Sequence, residues 1–352
     1  MAVIKKYIQY WNGFRMGPGI GDLLLIGTTL YAAYMRFTNN SSDTNEAEIW
    51  SATSVDNGVT WIRQQLPGSA PLIANLGAEG TGWCSLLEIT SSLYALVFLV
   101  KNVSLSDLQV YISFSSNPLT VPFSTWTKIT TAGYNVIRNN CLVKLASGRL
   151  IFAEGFWEGS GYEPKYYYSD NNGTTWTLGA TILVGGLEEP SIVEISPGTL
   201  LTFFRTSDGF FWSNKSTDNG ITWTAPAVTT LGASRSPGAF IMTASGKILA
   251  AFNPNGAAIG PYGNRSILQL AKSADGGLTW TNCLTLEPGS AINEVLFQFS
   301  YPSLQLSADG VYRMSYYEQL IGNTPGNPLA PDPPGIPTSN KFASFVAADI
   351  GE

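Results

Sequence analysis

The chain has 352 residues, of which only 12% are charged and 12% aromatic, with 36 glycines, 20 prolines, no histidine and a formal net charge of −6. That charge density is about half the roughly 25% of an average soluble protein, and it suits a sheet-rich body joined by many turns. The lack of histidine excludes His-based metal sites and Ser-His-Asp or Cys-His catalysis, while the acidic balance disfavours nucleic acid or an anionic membrane as partner.

In chain order, the opening residues MAVIKKYIQYWNGFRMG show no secretory-leader pattern, and Ala2–Tyr10 reads as a strand. Arg15, in FRMGPG, precedes the apolar run Leu23–Ile26. This run and Leu93–Val100 are too short to span a bilayer and read as inner strands of a sheet. Arg36 closes the next strand, YAAYMRF, and the loop NNSSDTNEAE then carries Asp43, Glu46 and Glu48. SVDNGVTW (Ser54–Trp61) is the first of four copies of one phrase; the others are SDNNGTTW (Ser169–Trp176), STDNGITW (Ser216–Trp223) and SADGGLTW (Ser273–Trp280). An eroded fifth copy lies within Tyr111–Trp126. Strand pairs with a glycine turn recur at Leu142–Gly155, Ile192–Arg205, Phe240–Asn253 and Leu304–Glu318. The stretch from 321 to 340 holds six prolines and reads as a long irregular loop before a C-terminal strand, Lys341–Ile350. Cys84, Cys141 and Cys283 have neither metal-ligand nor disulfide spacing and read as buried free thiols.

Successive tryptophans of the phrase are 65, 50, 47 and 57 residues apart, the spacing of one four-stranded blade each. The expectation is an all-β protein: a six-bladed β-propeller with four-stranded antiparallel blades, forming a single domain over residues 1–352. Pairing of the N-terminal strand with the C-terminal one would close the ring and remove exposed edges. Each phrase reads as a hairpin tip whose Asn-Gly or Gly-Gly supplies positive φ and whose Asp accepts hydrogen bonds from its own turn. Asp56, Asp218 and Asp275 are therefore structural, and the indole fills the gap between sheets.

Inner strands of a propeller all start near the axis, so residues at blade starts can converge. Those residues here are Arg15, Arg36, Glu189 in EEPS, Arg205, Arg265 and Tyr301 in FSYPSL. Together with the repeated phrase, which is the Asp box, this pattern resembles the sialidase (neuraminidase) superfamily from about Phe14 to Glu318. EEPSIVEISPGTLLTFFRTSDG is similar to that family's Glu-bearing blade followed by an Arg, and FSYPSL to its Tyr-bearing strand. The resemblance implies Arg15, Arg205 and Arg265 as a triad gripping a substrate carboxylate. It implies Tyr301 as nucleophile, Glu189 as its base, Asp43 as acid/base catalyst and Arg36 on the pocket wall. The chemistry is coherent, because a sialoside carries a carboxylate on the carbon that is attacked. Guanidinium groups bind that anion bidentately, and a neutral tyrosine escapes the repulsion a carboxylate nucleophile would meet. Glu188, Glu46, Glu48, Arg138 and Arg235 remain as alternatives for the corresponding roles.

The function expected is a retaining exo-glycosidase acting on terminal sialic acid or a related acidic sugar of a glycan, with no cofactor and no metal. The alternative is a non-catalytic propeller that binds glycan or serves as a structural or attachment protein. Low charge with many short polar residues is common in virion and cell-surface β-proteins, so an extracellular or particle-associated place fits better than the cytoplasm. A third reading is a glycosidase or lyase for another sugar, using Glu154, Glu158 or Glu163 of GFWEGSGYEP with Trp157 stacking on the ring.

Overall fold

The computed structural model describes residues 3–9, 18–37, 47–66, 81–102, 107–131, 133–138, 140–157, 159, 161–255, 265–289, 291–292, 295–321 and 338–352. These residues form six antiparallel sheets arranged as the blades of a propeller, with no α-helix among them. The N-terminal strand β1 is Ile4–Gln9. Blade one is β2 (Pro18–Ile26), β3 (Thr29–Phe37), β4 (Ala47–Ser54) and β5 (Ile62–Gln65). Blade two is β6 (Thr81–Thr90), β7 (Leu93–Asn102), β8 (Asp107–Ser115) and β9 (Trp126–Lys128). In blade three the inner strand is split into β10 (Asn135–Val136) and β11 (Val143–Lys144), followed by β12 (Leu150–Trp157), β13 (Tyr162–Ser169) and β14 (Thr177–Thr181). Blade four is β15 (Glu188–Ser196), β16 (Thr199–Arg205), β17 (Phe210–Ser216) and β18 (Ala227–Gly232). Blade five is β19 (Ala239–Met242), β20 (Ile248–Phe252), β21 (Ile267–Ser273) and β22 (Thr281–Pro288). Blade six is β23 (Ala291–Ile292), β24 (Val295–Leu306), β25 (Tyr312–Ile321) and β26 (Thr338–Phe345).

The ring closes as expected: β1 pairs antiparallel with β26, Ile4 opposite Ser344 and Tyr7 opposite Lys341. An ion cluster, buried except at Lys5, rivets this seam. Lys341 Nζ lies 2.7 Å from Glu287 and 3.2 Å from Glu318, Lys5 reaches Glu287 at 3.3 Å, and the Tyr316 hydroxyl donates to Glu287. The C-terminal strand is shorter than the sequence suggests, because Ala347–Ile350 turns into a short 3-10 helix.

The four boxes are joints between blades. In the first, Asp56 accepts from the Ser54 hydroxyl and from both the amide and hydroxyl of Thr60, and its exposed carboxyl is held down at about 2, the Thr60 bonds contributing most. In the second, Asn171 occupies the same place: its oxygen accepts from Ser169 and the Thr175 amide, while its nitrogen donates to the Thr175 hydroxyl. The loss of one box Asp therefore costs the turn none of its bonds. The turn residues Asn57-Gly58, Asn172-Gly173, Asn219-Gly220 and Gly276-Gly277 all have positive φ. Their second glycine also lies against the preceding blade. A Cβ on Gly220 would sit 2.4 Å from Ile151 of blade three, and one on Gly58 2.3 Å from Phe342 of blade six. Each box tryptophan donates its indole N–H to that glycine's carbonyl at 3.0–3.1 Å. Trp223 then stacks on Tyr166 of blade three, Trp280 meets Phe203 of blade four, and Trp61 meets Phe342.

Candidate functional site

Three non-glycine residues of the inner strands have left-handed φ: Trp83 at 42°, Glu189 at 42° and Tyr301 at 52°. All three fall where strand pairing slips its register: between Gly82 and Cys84, between Glu188 and Ser191, and between Ser300 and Ser303. A bulge re-aims the side chain it carries, and bulges cluster beside functional sites because the strain needs surrounding structure to hold it. The three belong to blades two, four and six, and all are buried.

Arg205, at the end of β16 and opposite Glu188 in register, joins two of them. Its Nη1 donates to Glu189 Oε2 at 2.6 Å and to the Tyr301 hydroxyl at 3.4 Å, and its Nε lies 3.4 Å from Glu188 Oε2. Burial works against the charge on Arg205, but Glu189, Tyr301 and Glu188 outweigh it and hold the guanidinium protonated. One guanidinium nitrogen thus holds a carboxylate and a phenol oxygen together, with charge-assisted bonding to the carboxylate. Arg265 lies 5.8 Å from the Tyr301 ring and donates to the Arg235 carbonyl at 2.6 Å. Arg235 itself reaches Glu188 at 3.2 Å from a half-exposed position. Trp83 also packs against Tyr301, with ring centroids 6.3 Å apart.

Beneath this cluster the axis is braced by buried polar groups. Arg138, at the start of blade three, donates Nη1 to the Ser191 hydroxyl at 2.8 Å and to the Asn140 carbonyl at 3.2 Å, and Nη2 to the Pro302 carbonyl at 3.3 Å. It thus pins the residue after Tyr301 and the second residue after Glu189, bracing both bulges. Burial draws its guanidinium down to about 10, so it remains charged at neutral pH. Asp22 accepts from the amides of Leu23 and Leu86, tying blades one and two, and burial pushes its carboxyl up to about 6.

Of the residues singled out in the sequence, Tyr301, Glu189, Arg205 and Arg265 come together. Arg36 stacks on Trp50, 4.3 Å from ring to guanidinium, at the matching end of blade one. Arg15 and Asp43 lie outside the described residues, as does Glu158. Arg138 is committed to backbone and hydroxyl partners at the base of the site and is no substitute for a carboxylate-gripping arginine; Arg235 pairs with Glu188 at the rim. Glu154, named for the third reading, belongs to β12 and is fully buried, and burial pushes its carboxyl well above the carboxylate range. Sequence reasoning missed Trp83, although TGWCSLLEIT begins an inner strand in the same way as EEPSIVEIS and SYPSLQLS; Asp22 was missed as well. Among the described residues no group of three or more His, Cys, Asp or Glu could hold a metal ion, and no helix is long and apolar enough to cross a membrane.

The profile of the BNR repeat-like domain family matches residues 29–314. A sequence search of curated proteins finds no match. Among solved structures, the Hadza microbial sialidase Hz136 superposes with a TM-score of 0.73 at 18% identity, over 95% of this chain and 66% of the other. This chain thus spans just under two thirds of that sialidase. The K499G mutant of NanB sialidase from Streptococcus pneumoniae gives 0.66 at 14% identity, over 97% of this chain and 71% of the other. A protein of unknown function from Dyadobacter fermentans gives 0.69 at 14%, over 97% of this chain and 98% of the other. At these identities the likeness is one of fold.

Proposed function

Because the chain belongs to the BNR repeat-like domain family, we propose that its axial cluster is the active site of a retaining exo-glycosidase that releases terminal sialic acid or a related acidic sugar from a glycan. One observation carries the reading: a single buried guanidinium nitrogen, Nη1 of Arg205, lies within hydrogen-bonding reach of both Glu189 and the Tyr301 hydroxyl. Tyr301 attacks the anomeric carbon as Glu189 takes its proton, and the glycosidic C–O bond breaks while Asp43 protonates the departing oxygen. Water, deprotonated by Asp43, then releases the sugar and the phenol oxygen recovers its proton from Glu189. Arg15, Arg205 and Arg265 bind the substrate carboxylate, with Arg36 on the wall. The sialidases of like fold support this choice of substrate.

A second reading draws on the pairing of Arg205. Two carboxylates already occupy it, an arrangement that also suits a non-catalytic propeller binding glycan or serving as an attachment protein. A fluorogenic α-sialoside distinguishes them. Turnover by the wild type that falls ~10³-fold or more in Tyr301→Phe and in Glu189→Gln supports the glycosidase. Absent turnover, or turnover untouched by Tyr301→Phe, overturns it, and retained sialoside binding then favours the second reading.

A further inference from the structure

One buried side chain holds both ends of Arg265. Asn253 follows β20 directly and is 1% exposed. Its side-chain nitrogen, Nδ2, donates to the Phe299 carbonyl in β24 and to the Ile267 carbonyl at the start of β21, both at 2.7 Å. The Arg265 carbonyl is a third, longer neighbour at 3.5 Å, and it accepts from the Phe299 amide at 2.8 Å. Three carbonyl oxygens about one atom fix the orientation of the amide, because only its nitrogen end can face them. The backbone of Arg265 is thereby tied to the strand that carries Tyr301, two residues after Phe299.

The guanidinium is tied through the same residue. Arg265 Nη2 donates to the Arg235 carbonyl at 2.6 Å. Arg235 is placed in turn by its neighbour: the Ser234 amide donates to the Asn253 carbonyl, and the Ser234 hydroxyl to the Pro254 carbonyl, each at 2.9 Å. The side chain of Asn253 thus fixes where Arg265 starts, and its main chain fixes where the guanidinium ends. The amide oxygen Oδ1 of Asn253 is buried and makes no hydrogen bond among the described residues. A buried acceptor left unmet costs stability, so packing alone does not account for an amide here, whereas the bonds of its nitrogen do.

We propose that Asn253 is the positioning residue of Arg265, setting that guanidinium 5.8 Å from the Tyr301 ring without touching the substrate. The inference rests on the glycosidase reading for what Arg265 binds, and on these hydrogen bonds alone for how Arg265 is held. An arginine free to swing must be ordered each time it meets a carboxylate, and a displacement of about 1 Å near a reacting centre can cost ~100-fold. A neutral amide suits the place. A carboxylate there would aim its charge at two carbonyl oxygens, and a hydroxyl could serve only one of them.

Two measurements on the full chain test this. The first is a double-mutant cycle read in kcat/KM for a fluorogenic α-sialoside. Asn253→Ala should lose ~10–100-fold in the wild type but about twofold or less in Arg265→Met, where the arginine it serves is gone. Equal loss in both backgrounds overturns the role. Asn253→Ser, which keeps one proton for one carbonyl, should lose less, and it takes the place of Asn253→Ala in the cycle if that variant does not fold. The second measurement needs no substrate. In heteronuclear NMR the Nε–H signal of Arg265, identified by its absence in Arg265→Met, should shift or broaden in both Asn253 variants while that of Arg138 stays in place. An unmoved Arg265 signal, or arginine signals that all move together, overturns the role. If no sialoside is turned over, the glycosidase reading fails and the NMR measurement alone decides the part played by Asn253.

Discussion

An Asp box and the axial cluster use the same residue types, carboxylate, hydroxyl and indole, but they use distance along the chain in opposite ways. Every partner of Asp56 lies within four residues of it, and the Trp61 indole N–H finds an acceptor three residues back. Arg205 finds Glu189 sixteen residues away and Tyr301 ninety-six away, and Arg138 reaches Pro302 across 164. A local turn is satisfied by its own short sequence, so it can be copied round the ring. A convergent site is made once, by residues that have no meaning apart. The difference in burial sharpens this: the box carboxylates face water, whereas the axial charges are buried and must answer one another.

The largest effect is expected at the axis. Arg205→Met leaves the buried Glu189 without its guanidinium and Glu188 with Arg235 alone, which should cost about 3–5 kcal/mol in chemical denaturation and abolish any turnover. Arg138→Met tests whether bracing from below matters to the chemistry: kcat should drop ~10–100-fold with KM little changed, and a crystal structure should show Glu189 or Tyr301 leaving its left-handed conformation. Equal loss in kcat/KM through KM alone would reduce Arg138 to a packing role.

At the boxes the vulnerable atom is the glycine, not the carboxylate. Gly220→Ala combines a positive φ of 79° with a clash against Ile151, and should cost about 1–3 kcal/mol in the same assay. Glu154 lies between these extremes, buried but outside the cluster. The fold tolerates its protonated form, so its contribution to stability is complete at acid pH and is lost as pH rises through its raised pKa. Glu154→Gln should therefore gain on the wild type by up to about 1.4 kcal/mol per pH unit between about pH 5 and pH 8; a constant gap would refute the assignment. The smallest effect is expected for Asp56→Asn, since Asn171 already fills that place in the second box: a melting shift under about 2 °C, read by calorimetry.

Much of the frame was legible because each blade announces itself locally. The box phrase, its spacing and the recurring glycine turns required six blades, and the hairpins at Ser54–Trp61 and Ser216–Trp223 form as their residues dictate. The site was legible only in part. Arg205 stood out as a charge after the apolar run LLTFF, and Tyr301 and Glu189 through their place at blade starts. Trp83 was passed over because an indole in TGWCSLLEIT looks like any core residue until the bulge turns it toward Tyr301. Glu154 shows the converse: the strand pair Leu142–Gly155 was legible, but not that Glu154, paired with Lys165 across β12 and β13, would lie in the interior.

The sequence by itself determined the architecture and the turns, because those depend on residues within a few positions of one another and on a period that repeats. Only the tertiary structure decided which charges meet. Closing six sheets into a ring brings the starts of the inner strands to one axis, and register slips of a residue or two turn Glu189, Tyr301 and Trp83 into the same space. Contacts across 96 or 164 residues leave no trace in spacing, because their cost in chain entropy is met by the whole ring rather than by any segment of it.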